Sequence, residues 1–581
     1  MKFNIQPFVN LEIMKSHLLY LFLLFLFLGC SKMNDPEVVL EVLTNNNIIL
    51  EEKKDSKVVI DFTASCDWKA SIDVDWAILD KTKGNSGRIS LGLISKSDNL
   101  SGDIRTGKIT ITSLNVTKTL KFEQKAQNVL NILTTDLNFN ATDVVGAIKF
   151  ETNITDYILN VRILDSLADW INISEKDLVR TNVKKELQID LQPNFLPVTR
   201  KVDAIIQLLD KNNKENILIE SKTFTIIQGA YYGYSSDYSK DKEVSILRKH
   251  TKGSGIPIIF MGDGFLDIDI DRGYYDEVIN KSVDYFFSEE PIKSRSEFFD
   301  LYMIRCVSLR NVFNQNNTTF SCWLEGNNST LIKGDNLKVA KYAEEALAKY
   351  GKIDLLNEAL CIVVLNTYDY AGTCYFGFED AQTGDLTELA IGYCPTINGV
   401  NDEMFRRVLT HECVGHGFAK LLDEYSYQDM GEIPSSLVTE YRRLQETVGW
   451  YSNVSFTGDL NNVLWNEYLN DDRYKNADNY GEVLGAYLGA CTYWTGAWRP
   501  TNESMMRSNK NGFNVPSREA IYKRVMKLAF GKEWEFEKEE FIKFDQLHFP
   551  TPANDIEETR GHFNIVNTYP PIYTGEKISF R

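Results

Sequence analysis

The sequence predicts a multidomain chain: two all-β, immunoglobulin-like sandwiches followed by one α/β domain. Three observations carry this expectation. The chain has 581 residues, too many for a single hydrophobic core. Between residues 38 and 230, short runs alternate apolar with charged residues and break at Gly, Asn and Ser, the pattern of half-buried antiparallel strands. After Gly253 the pattern changes to continuous apolar runs closing on tight turns, interleaved with helical periodicity.

The N-terminus has its own logic. From Met14 it reads "MKSHLLYLFLLFLFLGCSKMNDPE": a lysine, an apolar run from Leu18 to Leu28, then Gly29-Cys30 and polar residues. The run is short for a permanent span, and its flanks are those of a signal peptide. Residues 1–30 are therefore expected to be a leader whose Leu-Gly-Cys end resembles a bacterial lipobox, with Cys30 lipidated. That predicts an exported protein of the cell envelope, an outer-membrane lipoprotein facing the periplasm or the surface, held to the membrane by its lipid anchor. The other eight cysteines form no CxxC and no dense framework, so no disulfide is predicted. A net charge of -18 with no basic stripe argues against a nucleic-acid partner, which would require phosphate neutralisation.

Residues 37–127 and 128–231 read as two copies of one unit. "KVVIDFTA", "GRISLGLI", "RTGKITITS" and "KTLKFEQKA" in the first are answered by "GAIKFETN", "KKELQIDLQ", "RKVDAIIQLL" and "KTFTIIQGA" in the second. Landmarks recur in order: Trp76 and Trp170 after an acidic residue, Arg105 and Arg200, then Gln124 and Gln228. This pattern resembles the BACON domain of Bacteroidetes surface proteins, the first copy more closely than the second. The resemblance implies a spacer or a glycan- or mucin-associated module. The matching positions are ones a sandwich needs for its core, so no binding residue is carried over. The spacer role is preferred, with glycan contact through the sandwiches as the other expectation.

Residues 250–581 are expected to form the α/β domain. "GIPIIFMGDGF" is a buried strand running into a Gly-Asp-Gly turn, and "YYDEVINKSVDYFF" has helical periodicity. "LNEALCIVVLNTYDYAG" holds a second buried strand, and "DEMFRRVLTHECVGHGFAKLLDEY" reads as one long amphipathic helix.

That last segment carries the chemistry. Two histidines a turn apart on one helix face share a zinc ion, and a glutamate beside the first serves as proton acceptor for the attacking water. Here His411-Glu412 is followed by His416, five positions on instead of four. Five steps of about 100° set the second histidine roughly 140° from the first, so a regular α-helix does not bring them together. A one-residue π-bulge would restore the facing, and Gly415 eases it. Two of the chain's six histidines lie here around a glutamate. Beyond them, Asp423 or Glu424 offers a third ligand oxygen. Ser504-Met505-Met506 resembles a Met-turn, with Met506 the better candidate.

Taken together, "FMGDGF", "VVLNTYDYAGT", "THECVGHGFAKLLDEY" and "GAWRPTNESMMRS…GFNVPSREAIYKRV" resemble the IgA peptidase family of bacterial zinc metallopeptidases, over roughly residues 255–530. The resemblance implies a zincin-like (metzincin-like) fold with one catalytic zinc ion. His411, His416 and Asp423 would be its ligands, with Glu424 the runner-up for the third. Glu412 would be the general base and Met506 the Met-turn residue. The substrate would be an extracellular protein or glycoprotein, host or mucosal proteins included. The departure from the family pattern is the extra residue before His416. It supports a second reading, a non-catalytic surface glycan- or protein-binding lipoprotein with a degenerate peptidase domain.

The remaining candidates are weaker. Asp263 is explained by its turn and Cys413 by burial in a helix. Arg499 is either an oxyanion partner or part of a packed loop, and residues 366–377 are a candidate edge strand for an extended substrate. His548 and His562 are expected to be ordinary.

Overall fold

Strand alternation organises the N-terminal half. In Lys57–Ala64 the side chains of Ile60, Phe62 and Ala64 are buried while those between them face outward, because successive Cβ atoms of a strand point to opposite faces. The first unit packs two antiparallel-rich sheets. One has the order Leu40–Val42, Lys57–Ala64, Gly87–Ser95, Ala77–Leu79. The other runs Ile48–Leu50, Val116–Gln124, Arg105–Ser113, Trp68–Ile72, Lys83–Gly84. The second unit repeats this order as Leu130–Ile132, Val145–Thr152, Lys184–Leu191, Ile171–Glu175 against Asn138–Phe139, Leu218–Gln228, Arg200–Asp210, Tyr157–Ile163. Even the short parallel pairing recurs, Ile48–Leu50 on the strand of Gln124 and Asn138–Phe139 on the strand of Gln228.

The recurring landmarks form one internal device. Arg105 lies 4.4 Å over the Trp76 ring and Arg200 lies 4.3 Å over the Trp170 ring. Each arginine donates through Nε to its glutamine, at 2.9 Å in both copies. Gln124 then donates to the Glu51 carbonyl (3.0 Å), and Gln228 to the Ala141 and Asp143 carbonyls (3.1 and 3.0 Å). Both glutamines are fully buried, so the network satisfies loop carbonyls that would otherwise lose water without a partner.

This computed structural model describes residues 37–549 and 570–578, apart from 46, 155–156, 167, 176–183, 213–216, 315, 327–328, 475–477 and 479–480. The leader with Cys30, and His562, lie outside the described residues.

The α/β domain is built on a seven-stranded sheet in the order Val244–Arg248, Phe299–Ile304, Ile256–Asp263, Leu360–Leu365, Ala390–Pro395, Thr373–Phe376, Ile572–Tyr573. The four strands from Phe299–Ile304 to Ala390–Pro395 are parallel, and Thr373–Phe376 runs antiparallel to the last of them. Helices cover both faces, so the central strands are apolar throughout rather than alternating. Ile258 and Phe260 pack with Phe286, Cys413 and Val414 on one face, while Ile259 and Met261 pack with Val339, Ala343 and Leu347 on the other. The first face carries the helix Tyr274–Phe286 and the segment 403–418; the second carries Asn336–Ala348. The second sandwich meets this domain where Leu196 packs on the first face's core and Arg272 lies 5.6 Å over the Phe195 ring.

One expectation is corrected here. Residues 402–425 are not one helix: an α-helix spans Glu403–Leu409, a π-helix Thr410–Phe418, and the chain then leaves helical geometry. Lys420 takes a left-handed conformation (φ 55°), and the Leu421 N–H closes back on the Gly415 carbonyl at 3.0 Å. This reversal turns Asp423 back toward the histidines.

Candidate metal centre

The site grows from the π-helix. Its hydrogen bonds link residues five apart, so positions i and i+5 share a face. His411 and His416 accordingly meet, ring centroids 4.7 Å apart and Nε2 atoms at 3.0 Å. The distortion extends over nine residues, more than the single-residue bulge expected. The late histidine is therefore no obstacle to convergence.

Gly415 is required by close approach. A Cβ there would lie 2.3 Å from Met506 Sδ and 2.8 Å from its Cε. Met506 is fully buried, so the thioether forms a floor pressed against the backbone between the two histidines. Gly415→Ala is expected to cost about 1–3 kcal/mol through overpacking. It should also weaken metal binding by about tenfold, as loss of a supporting contact does. Thermal unfolding and a metal-competition titration check this. Recovery in Gly415→Ala/Met506→Ala assigns the effect to the collision, and parent-like values for Gly415→Ala would remove the floor from the account.

Asp423 completes the cluster. Its Oδ1 stands 3.1 Å from His411 Nε2 and 3.2 Å from His416 Nε2. Each histidine Nδ1 faces a carbonyl at 2.8 Å, Met505 O for His411 and Leu421 O for His416. A carbonyl only accepts, so the hydrogen-bond network assigns the proton of each ring to Nδ1 and leaves a lone pair on each Nε2. Three lone pairs thus converge in a buried site with no proton between them, an arrangement that a cation relieves. Asp423 Oδ2 is also buried and has no hydrogen-bond partner. The edges of the triangle, 3.0 to 3.2 Å, match the roughly 3.3 Å separation of tetrahedral ligands at zinc bond lengths. The residues fit a metal ion. Among the described residues, His411, His416 and Asp423 are the group placed to hold one.

Glu424, the runner-up, is turned elsewhere. Its carboxylate accepts from Ser504 Oγ (2.7 Å), Asn453 Nδ2 (2.9 Å) and Asn514 Nδ2 (2.9 and 3.0 Å), and its N–H donates to Met506 O at 2.8 Å. It braces the turn that carries Met505 and Met506. Two adjacent residues in non-helical chain point to opposite sides, so only one of the pair reaches the histidines.

Glu412 faces a cleft of about 180 Å³ lined also by His411, Tyr370, Tyr425, Arg507 and Asn509. Burial pushes its carboxyl up to about 8, with His411 pulling it down and Asp423 adding to the rise. A cation at the cluster would lower it again. Gly372 makes room for this side chain: a Cβ at 372 would lie 2.9 Å from Glu412 Oε1. Tyr425 lies parallel to the His411 ring, centroids 6.5 Å apart at 20°. Neither Gly372 nor Tyr425 has a role readable from spacing, although both fall in segments that stand out in the sequence.

Asp263, Arg499, Cys413 and His548 fall outside the cleft. Asp263 accepts the Phe320 and Cys322 N–H groups (2.9 and 3.3 Å) and holds that loop. Arg499 donates to the Leu488 and Gly489 carbonyls at 2.7 Å each. Cys413 turns toward the sheet, its Sγ 3.7 Å from Cys394 Sγ, with Gly392 beneath it. His548 stands 3.0 Å from Ser294 Oγ. The edge beside Gly372 is taken by the chain itself, since the Gly372 N–H donates to Thr330 O at 3.2 Å. All eight cysteines in the described residues are free thiols.

A buried cluster of two histidines and an aspartate, with a glutamate beside it facing a cleft, is an arrangement able to hold a metal ion next to a proton acceptor. Residues 244–474 match the family described as IgA Peptidase M64. The match includes His411, Glu412, His416 and Asp423 and stops short of the Ser504–Met506 turn. No curated protein matches the chain. Among solved structures, a Bacteroides ovatus GH5 xyloglucanase in complex with a XXXG heptasaccharide is 18% identical over 16% of this chain and 20% of that one, with a TM-score of 0.15. The D00-D0 domain of intimin is 9% identical over 33% of this chain and 99% of that one, with a TM-score of 0.22. The chain thus spans a fifth of the xyloglucanase's length, and these overlaps define no shared fold.

Proposed function

We propose that the protein is an exported, lipid-anchored zinc metalloendopeptidase that hydrolyses peptide bonds in extracellular proteins, on a zincin-like catalytic domain. The observation that carries the proposal is the convergence of three proton-free lone pairs from His411, His416 and Asp423 beside Glu412. His411, His416 and Asp423 would hold the zinc ion, which when bound would supply Lewis acidity. Met505 O and Leu421 O hold each imidazole in the tautomer that keeps Nε2 free. Glu412 takes the proton of the attacking water and returns it to the leaving amine, a role suited to a carboxyl whose proton affinity burial has raised. Asp423, kept off other donors, remains a ligand. The leader ending in Cys30 supports the anchor, and two BACON-like sandwiches, 37–127 and 128–231, would stand between it and the catalytic domain. The use of both Trp–Arg–Gln sets in internal bonding favours a spacer over a glycan binder.

The test is metal content with activity. The purified protein is expected to hold one zinc per chain, to lose cleavage of a protein substrate in chelator, and to regain it with added zinc. His411→Ala is expected to abolish both metal and cleavage. A folded, metal-free parent protein with glycan affinity would instead establish the non-catalytic lipoprotein.

A further inference from the structure

Beside Ala419 and Lys420, which follow the π-helix, lies a second cavity, of about 680 Å³, which shares no lining residue with the cleft at Glu412. Its size is that of a small-molecule site.

The lining has two characters. Trp465, Trp534 and Phe536 supply aromatic wall. Against it stand five cationic side chains and three acidic ones, and the pairing among them leaves positive charge over. Arg524 is matched by Glu388 at 2.6 Å, and Lys523 by Glu519. Lys420 donates to the Glu388 and Gly417 carbonyls at 2.9 and 2.6 Å. Lys527 and Lys532 have no acidic partner among the described residues.

The wall also presents unmet hydrogen-bonding groups. Arg524 Nε and Ser452 Oγ are buried and have no partner in the protein. Buried donors are normally partnered, so two on one cavity wall are groups a polar ligand atom would satisfy.

We infer that this cavity is a binding site for an amphipathic organic anion. The apolar or aromatic body lies among Trp465, Trp534 and Phe536. The carboxylate or sulfonate meets Arg524 Nε and the free lysines at 527 and 532. Lys420 lines the site and donates through Nζ to the Gly417 carbonyl, one residue beyond His416, which ties this wall to the end of the π-helix.

Fluorescence titration of the zinc-free full chain with 1-anilinonaphthalene-8-sulfonate tests this without reference to hydrolysis, so its outcome is independent of the peptidase proposal. The expected result is saturable binding of one probe per chain. Lys527→Glu/Lys532→Glu, at exposed positions that leave the fold intact, should weaken binding by about tenfold or more, the worth of a charge-assisted contact. Trp534→Ala should weaken it similarly, and Lys118→Glu, on the first sandwich, should leave it unchanged. Non-saturable binding by the parent chain, or parent affinity in the lysine double variant, overturns the site and leaves a cavity that holds only water.

Discussion

Glu412→Gln is expected to lower the turnover of a protein substrate by about 10²–10⁴-fold, the usual worth of a general base. The amide has the same shape and fills the same space above Gly372, where a Cβ would lie 2.9 Å from Glu412 Oε1. It does not accept the water's proton. Because Glu412 is not among the three converging ligands, zinc content should remain that of the parent. The prediction is therefore a split: kcat falls while bound zinc, and the temperature of unfolding, stay close to parent values. A variant that cleaves at the parent rate removes Glu412 from the mechanism. One that loses its zinc as well would mean that the carboxylate supports the metal itself.

The second large effect is on stability and arises away from the cleft. Arg518 is fully buried and clamps two acidic side chains: Nε and Nη2 reach Asp545 at 2.7 and 2.8 Å, and Nη2 reaches Asp478 at 2.9 Å. Its Nη1 donates to the Phe513 carbonyl at 2.6 Å. Arg518→Leu leaves two buried carboxylates with no counter-charge and is expected to destabilise the α/β domain by about 3–5 kcal/mol. Arg518→Lys should recover only part, since an ammonium does not reproduce the guanidinium fork. The effect reaches the metal site through Asn514, which follows Phe513, caps the helix Val515–Phe530 and donates to Glu424. Denaturant unfolding of the full chain, followed at the transition of the α/β domain, measures it. A loss below about 1 kcal/mol would show that the clamp relaxes without strain.

Much of the architecture is legible locally. Period-two alternation in "KVVIDFTA" and "RTGKITITS" marks strands with one buried face, and both form strands with that burial. The apolar runs of "IPIIFM" and "LCIVVL" mark strands covered on both faces, as the split of alternate residues between two cores shows. The Trp, Arg and Gln landmarks are visible as a repeat, but their reason, a cation over an indole bonded to a buried amide, appears only in three dimensions. The misjudged element is 402–425. Ala419-Lys420-Leu421-Leu422 has good helix formers and no proline, so nothing local stops the helix. The reversal at Lys420 is set by contacts from elsewhere, including the Leu422 N–H bond to Asn453 Oδ1 at 3.0 Å.

The division at the metal centre has the same cause. His411, Glu412, Gly415 and His416 lie within one helical stretch, and their spacing by itself points to a metal site and demands a distorted helix to build it. Whether Asp423 or Glu424 joins them depends on Ser504, Asn453 and Asn514, which claim Glu424. The tautomer of His411 depends on the carbonyl of Met505, 94 residues away. Room for Glu412 depends on the bare Cα of Gly372. Helix spacing is a property of neighbouring residues and is written in their order. The choice of third ligand, the protons on the rings and the space above the base arise where distant segments meet, and only packing decides them.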